Sequence, residues 1–186
     1  MNYVEVFEAI QADPRYQKNI QWGKARRGHP EGTVEAHIVE LERNLELLRP
    51  KLSDEDYQKL KILIHVHDSF KAEAESGVAI TDPRSHASLA RSFLAEFCSD
   101  SDLLTMVQYH DEPYALWLQV HRGRPCNEER YEALVAGICD WNLFIAFLII
   151  DNCTVGKGRE SLRWFLQKIE GRVPSAITQQ DIIETV

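Results

Sequence analysis

The stretch ILIHVHDSFK (62–71) ends an apolar run with two histidines, an aspartate and a lysine. Imidazole and carboxylate side by side can ligate a transition metal or move a proton, and a nearby ammonium can neutralise an anion. Similar groups recur wherever a helical apolar stripe is extended. His37 falls between Val34 and Leu41, and Leu60 and Ile64 lead to His67 with Asp68 beside it. His86 begins the stripe Leu89, Ala90, Phe93 and Phe97; Leu103, Met106 and Val107 lead to His110; Phe144, Phe147 and Leu148 lead to Asp151. One histidine on an apolar face is ordinarily a satisfied core residue, but here five helices each bring an imidazole or carboxylate inward. Buried charge is costly unless it is paired or bound to a metal. Two carboxylates and four imidazoles, with no arginine in the stripes, require a cation. Mixed His/Asp ligation suits Fe, Mn or Zn, so a divalent transition metal is expected.

Geometry leaves open which histidine of 62–71 joins the set. His65 points about 160° away from His67 around a helix axis, yet His65 and Asp68 form an i,i+3 pair that could share a face.

The elements that must position these groups are helical. Val34, Ile38, Leu41, Leu45 and Leu48 repeat at 3- and 4-residue spacing across 33–49. Ser53 and the acidic residues after it open a second helix over 53–70, and Ser85 and Ser99 to Ser101 cap two more. Residues 112–121, 127–151 and 159–170 read as further helices, the 127–151 segment as one long one, with terminal helices at 2–12 and 178–185. Strand-like alternation is almost absent. The expected fold is all-α, a single-domain helical bundle spanning 1–186.

Composition sets outer limits. The chain has 186 residues, 44% hydrophobic and 27% charged, with a net charge of −8. That balance disfavours a nucleic-acid polymer as partner but leaves room for a small anion in a local pocket. The segment 133–150 carries Asp140 and Asn142 and runs into Asp151, which makes it a core helix rather than a membrane span. MNYVEVFEAI begins acidic, so no secretory leader is expected, and four scattered cysteines without a CxxC suit a reducing compartment. A cytoplasmic location follows as the expectation.

The ordered set His37 in GTVEAHIVELERNL, His67-Asp68 in HVHDSFK and Asp151 in FLIIDNCTVGKG resembles the HD-domain superfamily of metal-dependent phosphohydrolases, over roughly residues 30–165. A subset of that superfamily adds two histidines before the last aspartate, matched here by His86 in DPRSHASLARSFL and His110 in MVQYHDEPY. The resemblance implies an HD-type helical bundle holding one or two divalent transition metals (Fe, Mn or Zn), with metal ligands His37, His67, Asp68, His86, His110 and Asp151. It favours His67 over His65, gives Asp68 a bridging and catalytic role, and sets Lys71 where related proteins often carry a lysine. It implies hydrolysis of a small phosphorylated substrate such as a nucleotide by metal-activated water, with Lys71 stabilising charge on the phosphoryl oxygens. Related proteins with the same ligands include di-iron oxygenases, and a non-catalytic metal- or nucleotide-binding module is a further alternative. No GYP motif follows, which disfavours cyclic dinucleotides.

Other residues could meet the phosphate. The basic loops GKARRGHP (23–30), HRGRP (121–125) and VGKGRE (155–160) stand out in an acidic chain. Lys157 and Arg159 in the last loop and Arg84 near His86 join Lys71 as candidate substrate contacts. Asp111 could orient His110 from behind or be a surface carboxylate, and Glu40 has the same two readings relative to His37. His65 reads as a structural residue or one that supports a ligand from behind, and His29 and His121 as loop residues at the surface or at most substrate contacts.

Overall fold

The structure, a computed structural model, describes residues 1–26 and 30–184. Its helices are α1 (Tyr3–Ala12), α2 (Pro14–Asn19), α3 (Val34–Leu48), α4 (Asp54–Val66), α5 (His86–Leu94), α6 (Ser101–Tyr109), α7 (Glu112–His121), α8 (Glu128–Gly137), α9 (Trp141–Asn152) and α10 (Glu160–Ile169). Among the described residues no strand forms, and the fold is the all-α bundle its periodicity predicts. Short side chains start most helices by accepting an orphan backbone N–H. Thr33 takes Ala36 N, Ser53 takes Asp56 N, Ser85 takes Ser88 N and Asn127 takes Arg130 N.

Two expectations are corrected, and one helix is added. The single helix over 127–151 is two, α8 and α9, bent by 117°. Asp102 on α6 accepts the amides of Cys139 and Asp140 at 2.9 and 2.8 Å, and Asp140 caps α9 through Leu143 N at 3.0 Å. Those amides are thereby bonded outside the helical ladder, so the helix must restart. The C-terminal helix over 178–185 is only a 3-10 turn, Gln179–Asp181, closed by a capping box between Thr178 and Asp181. At the N-terminus a second helix, α2, follows α1, because Asp13 caps it and Pro14 fits a first helical turn.

The core is one continuous apolar cluster. Helix α9 runs through it, apolar on every side, and packs against α3, α4 and α10, while α4 also meets α1 and α6. No single described helix is long and apolar enough to cross a membrane.

The loop between α2 and α3 is folded back onto the bundle. Gly23 bridges to Thr33, Val34 N donates to Trp22 O at 2.9 Å, and Glu35 N donates to Ile20 O at 2.8 Å. Gly23 has φ +127°, and a Cβ there would sit 2.4 Å from the Gly32 carbonyl oxygen, so the close approach demands glycine. This fold-back brings Arg26 and Glu31 to the functional site. Within that basic loop Arg27, Gly28 and His29 lie outside the described residues.

Candidate metal centre

The polar groups gather where helices start or stop. His37 lies in the first turn of α3, His67 follows the last residue of α4, His86 opens α5, His110 follows α6, and Asp151 sits in the last turn of α9. The expected 53–70 helix ends at Val66, so Asp68 and Lys71 stand in the turns beyond it. An imidazole at a helix end can reach inward without disrupting the packed stripe behind it.

The six residues form two groups. His37, His67 and Asp151 bring ligand atoms together, as do Asp68, His86 and His110, and within each group these atoms lie within 4.8 Å of one another. In the first group His37 Nε2 is 3.0 Å and His67 Nε2 3.8 Å from Asp151 Oδ1. In the second, His86 Nε2 and His110 Nε2 are 3.1 Å apart and lie 3.8 and 3.4 Å from Asp68 Oδ1. Asp68 joins the two: its other oxygen, Oδ2, faces His67 Nε2 at 3.5 Å.

The far sides of the rings fix their orientation. His67 Nδ1–H donates to the carbonyls of Leu63 and Ile64 at 3.1 and 3.0 Å, and His110 Nδ1–H donates to Val107 O at 2.7 Å. Both rings therefore turn Nε2 toward the cluster. His37 Nδ1 faces Glu31 Oε1 at 3.2 Å. Glu31 has no sequence signal as a site residue, because it lies in a turn where no periodicity assigns it a face. Phe147 packs edge-on against His67, 5.2 Å between centroids.

The electrostatics suit cation binding. Burial pushes His67 down to about 4 against the opposing pull of Asp68 and Asp151, so the ring is neutral at pH 7. Against the cost of burial, Lys71 and the neighbouring imidazoles hold Asp68 well below the usual carboxylate range, and Lys157 and His37 do so for Asp151. His110 is raised despite burial, by Asp111, Asp68 and the Val107 carbonyl. Two buried atoms, His67 Nε2 in one group and Asp68 Oδ1 in the other, have no hydrogen-bond partner among the described residues. Buried polar atoms are rarely left so.

A cavity of about 410 Å³ opens on the cluster, with Lys71, Lys157 and Arg26 on its polar side and Leu148, Leu162 and Phe165 on its apolar side. Lys71 pairs with Asp68, and Lys157 Nζ donates to Asp151 Oδ1 at 2.8 Å. Gly156 and Gly158 also line this cavity, which makes 155–160 the basic loop that reaches it most fully. Two of the proposed substrate contacts are elsewhere. Arg84 is exposed and paired with Asp82 and Glu75. Arg159 Nη1 donates to the carbonyls of Asn152, Thr154 and Lys157, closing the loop after α9.

The remaining polar residues divide in the same way. His65 faces away from the cluster, bonded through Nδ1 to Tyr16 and through Nε2 to Glu42 at 3.1 Å. Glu40 accepts Val155 N at 3.1 Å and so anchors the 155–160 loop. His121 is helical, not a loop residue: it ends α7 and stacks on Trp117 at 4.7 Å. Asp111 does not orient His110 from behind, since Val107 O holds that nitrogen; its carboxylate lies on the Nε2 side of the rings.

No family model, curated protein or solved structure matches this chain.

Proposed function

We propose that the chain is a two-metal phosphohydrolase of the HD type, acting on a small phosphoester. The observation that carries this reading is Asp68, whose two oxygens face different His/Asp groups, Oδ2 toward His67 and Oδ1 toward His86 and His110. A carboxylate so placed can serve two cations at once. Each group offers two imidazole nitrogens and one carboxylate oxygen, a donor set that fits Fe, Mn or Zn. Each group also contains one of the unpartnered buried atoms, His67 Nε2 or Asp68 Oδ1.

Divalent ions held by these residues would supply Lewis acidity and a water acidified toward neutral pH. The chain supplies the rest. Lys71, Lys157 and Arg26 concentrate positive charge at the cavity beside the cluster, in a chain whose net charge is −8. This favours a phosphate group over a neutral substrate, and ammonium groups held there offset charge that builds on phosphoryl oxygens. Burial opposes the charge on Lys71, but Asp68 and Asp111 raise its pKa, so it stays cationic through the neutral range. The wall of Leu148, Leu162 and Phe165 limits water on one side and can receive the organic part of the ester.

The test is a panel of small phosphoesters, nucleoside monophosphates among them, assayed with protein loaded with Mn, Fe or Zn. Turnover that is lost in Asp68→Ala with the fold intact is the expected result. No turnover of any phosphoester would overturn the proposal, and oxygen uptake by the iron-loaded protein would favour an oxygenase instead.

A further inference from the structure

We propose that Asp111 is a seventh metal ligand, the fourth donor of the Asp68, His86 and His110 group. The assignment rests on the two-metal reading above and extends it to a residue that the HD resemblance does not supply.

The first ground is distance. Asp111 Oδ2 lies 3.2 Å from His86 Nε2 and 3.7 Å from His110 Nε2. The same nitrogens lie 3.1 Å from each other and 3.8 and 3.4 Å from Asp68 Oδ1. For metal–ligand bonds near 2.1 Å, the donors of a tetrahedral ion are about 3.4 Å apart. Every measured separation among these four atoms falls close to that edge length.

A second ground is that Asp68 Oδ1, 5% exposed as a residue, is buried in this group with His110 Nε2 at 3.4 Å and no well-formed hydrogen bond among the described residues. A buried carboxylate oxygen left this way calls for a cation at this spot rather than a mere ion pair at the rim.

The third ground is what Asp111 does not do. It occupies the N-cap position of α7, where aspartate ordinarily accepts a backbone N–H two or three residues on. Here the residue two on is Pro113, which has no N–H, and the Asp111 side chain makes no cap hydrogen bond. The carboxylate is turned to the imidazoles instead.

With Asp111 included, the two centres become alike. His37, His67, Asp151 and Asp68 Oδ2 would form one, and His86, His110, Asp111 and Asp68 Oδ1 the other. Each has two imidazole nitrogens and two carboxylate oxygens. They differ in access: the His86 and Asp111 side chains are 21% and 44% exposed, against 3% for His37 and 1% for His67. The Asp111 centre therefore exchanges its ion more readily.

The test is a calorimetric titration of metal-free protein with Mn²⁺, comparing wild type with Asp111→Asn and Asp111→Ala. Loss of a partner outside the coordination sphere already weakens metal sites by about tenfold or more, so loss of a ligand should raise the second Kd by at least about tenfold. The first Kd should be unchanged, which also reports that the variant is folded. Two steps with unaltered affinities in both variants would overturn the Asp111 assignment and leave the two-metal reading standing. A single step in wild type would overturn both.

Discussion

His86 Nε2 and His110 Nε2 stand 3.1 Å apart, although one residue opens α5 and the other follows the end of α6. The antiparallel packing of these two helices turns both imidazoles onto one point, and Asp68 reaches the same point from beyond α4. Replacing either ring should empty one centre and spare the other. Elemental analysis of protein purified without chelator or metal-affinity tag should give about two transition metals per chain in wild type and about one in His86→Ala or His110→Ala. Equal content in all three would remove these histidines from the site.

Metal removal should destabilise the fold, because ions bind the native arrangement and the unfolded chain has no such site. At a free metal concentration a hundredfold above Kd, binding contributes about 2.7 kcal/mol, which for a chain of this size raises Tm by about 5–10 °C. Thermal unfolding with Mn²⁺ and with EDTA checks this, and identical midpoints would argue against bound metal.

Lys71 and Arg84 should separate cleanly in a phosphoester assay. Lys71 lines the cavity and pairs with Asp68, whereas Arg84 is exposed and held by Asp82 and Glu75. Lys71→Ala should lower kcat by about 10²- to 10³-fold, the range found for removal of one charge-stabilising donor. Arg84→Ala should stay within about twofold of wild type, since surface substitutions of this kind do little. The reverse ranking would relocate the substrate.

Phe147 ties stability to the site. It is fully buried on α9, and its ring meets His67 edge-on. Phe147→Ala should cost about 3–5 kcal/mol in chemical denaturation. It should also weaken metal binding, by freeing the imidazole that Phe147 packs against. A stability loss with unchanged metal affinity would show that the backbone carbonyls alone orient His67.

Asp100 predicts part of the acid sensitivity. Burial opposes its charge, but Tyr3 OH, at 2.8 Å, and the amides of Leu103 and Asp102 hold its carboxyl below the usual range. Its folded pKa thus lies below the unfolded value near 3.9. The stabilisation is present above about pH 4 and is lost as the pH falls through the lower folded value. Unfolding free energies measured between about pH 5 and pH 3 should fall less steeply in Asp100→Asn than in wild type. Parallel curves would mean that Asp100 contributes no linkage.

Much of this was readable in one dimension. The stripe from Val34 to Leu48 and the capping residues Ser53 and Ser85 name their helices, because periodicity and capping are local. The same local pattern put His37, His67, His86, His110 and Asp151 on inward faces. It failed at 127–151, where unbroken apolar character reads as one helix and the break is made by Asp102, far away in sequence. It also failed for Glu31 and Asp111, which sit in turns where no periodicity assigns a face.

The amino-acid order by itself therefore determined most of the helices, their buried faces and the polar groups that end them. Only the tertiary structure decided how those groups combine: which three face one another, that Asp68 turns one oxygen to each set, that Lys157 reaches the cavity while Arg84 does not, and that Asp111 faces the imidazoles. A helical repeat dictates the direction of a side chain around its own axis. Which axes lie side by side depends on packing summed over the whole core, and no short stretch of sequence contains that sum.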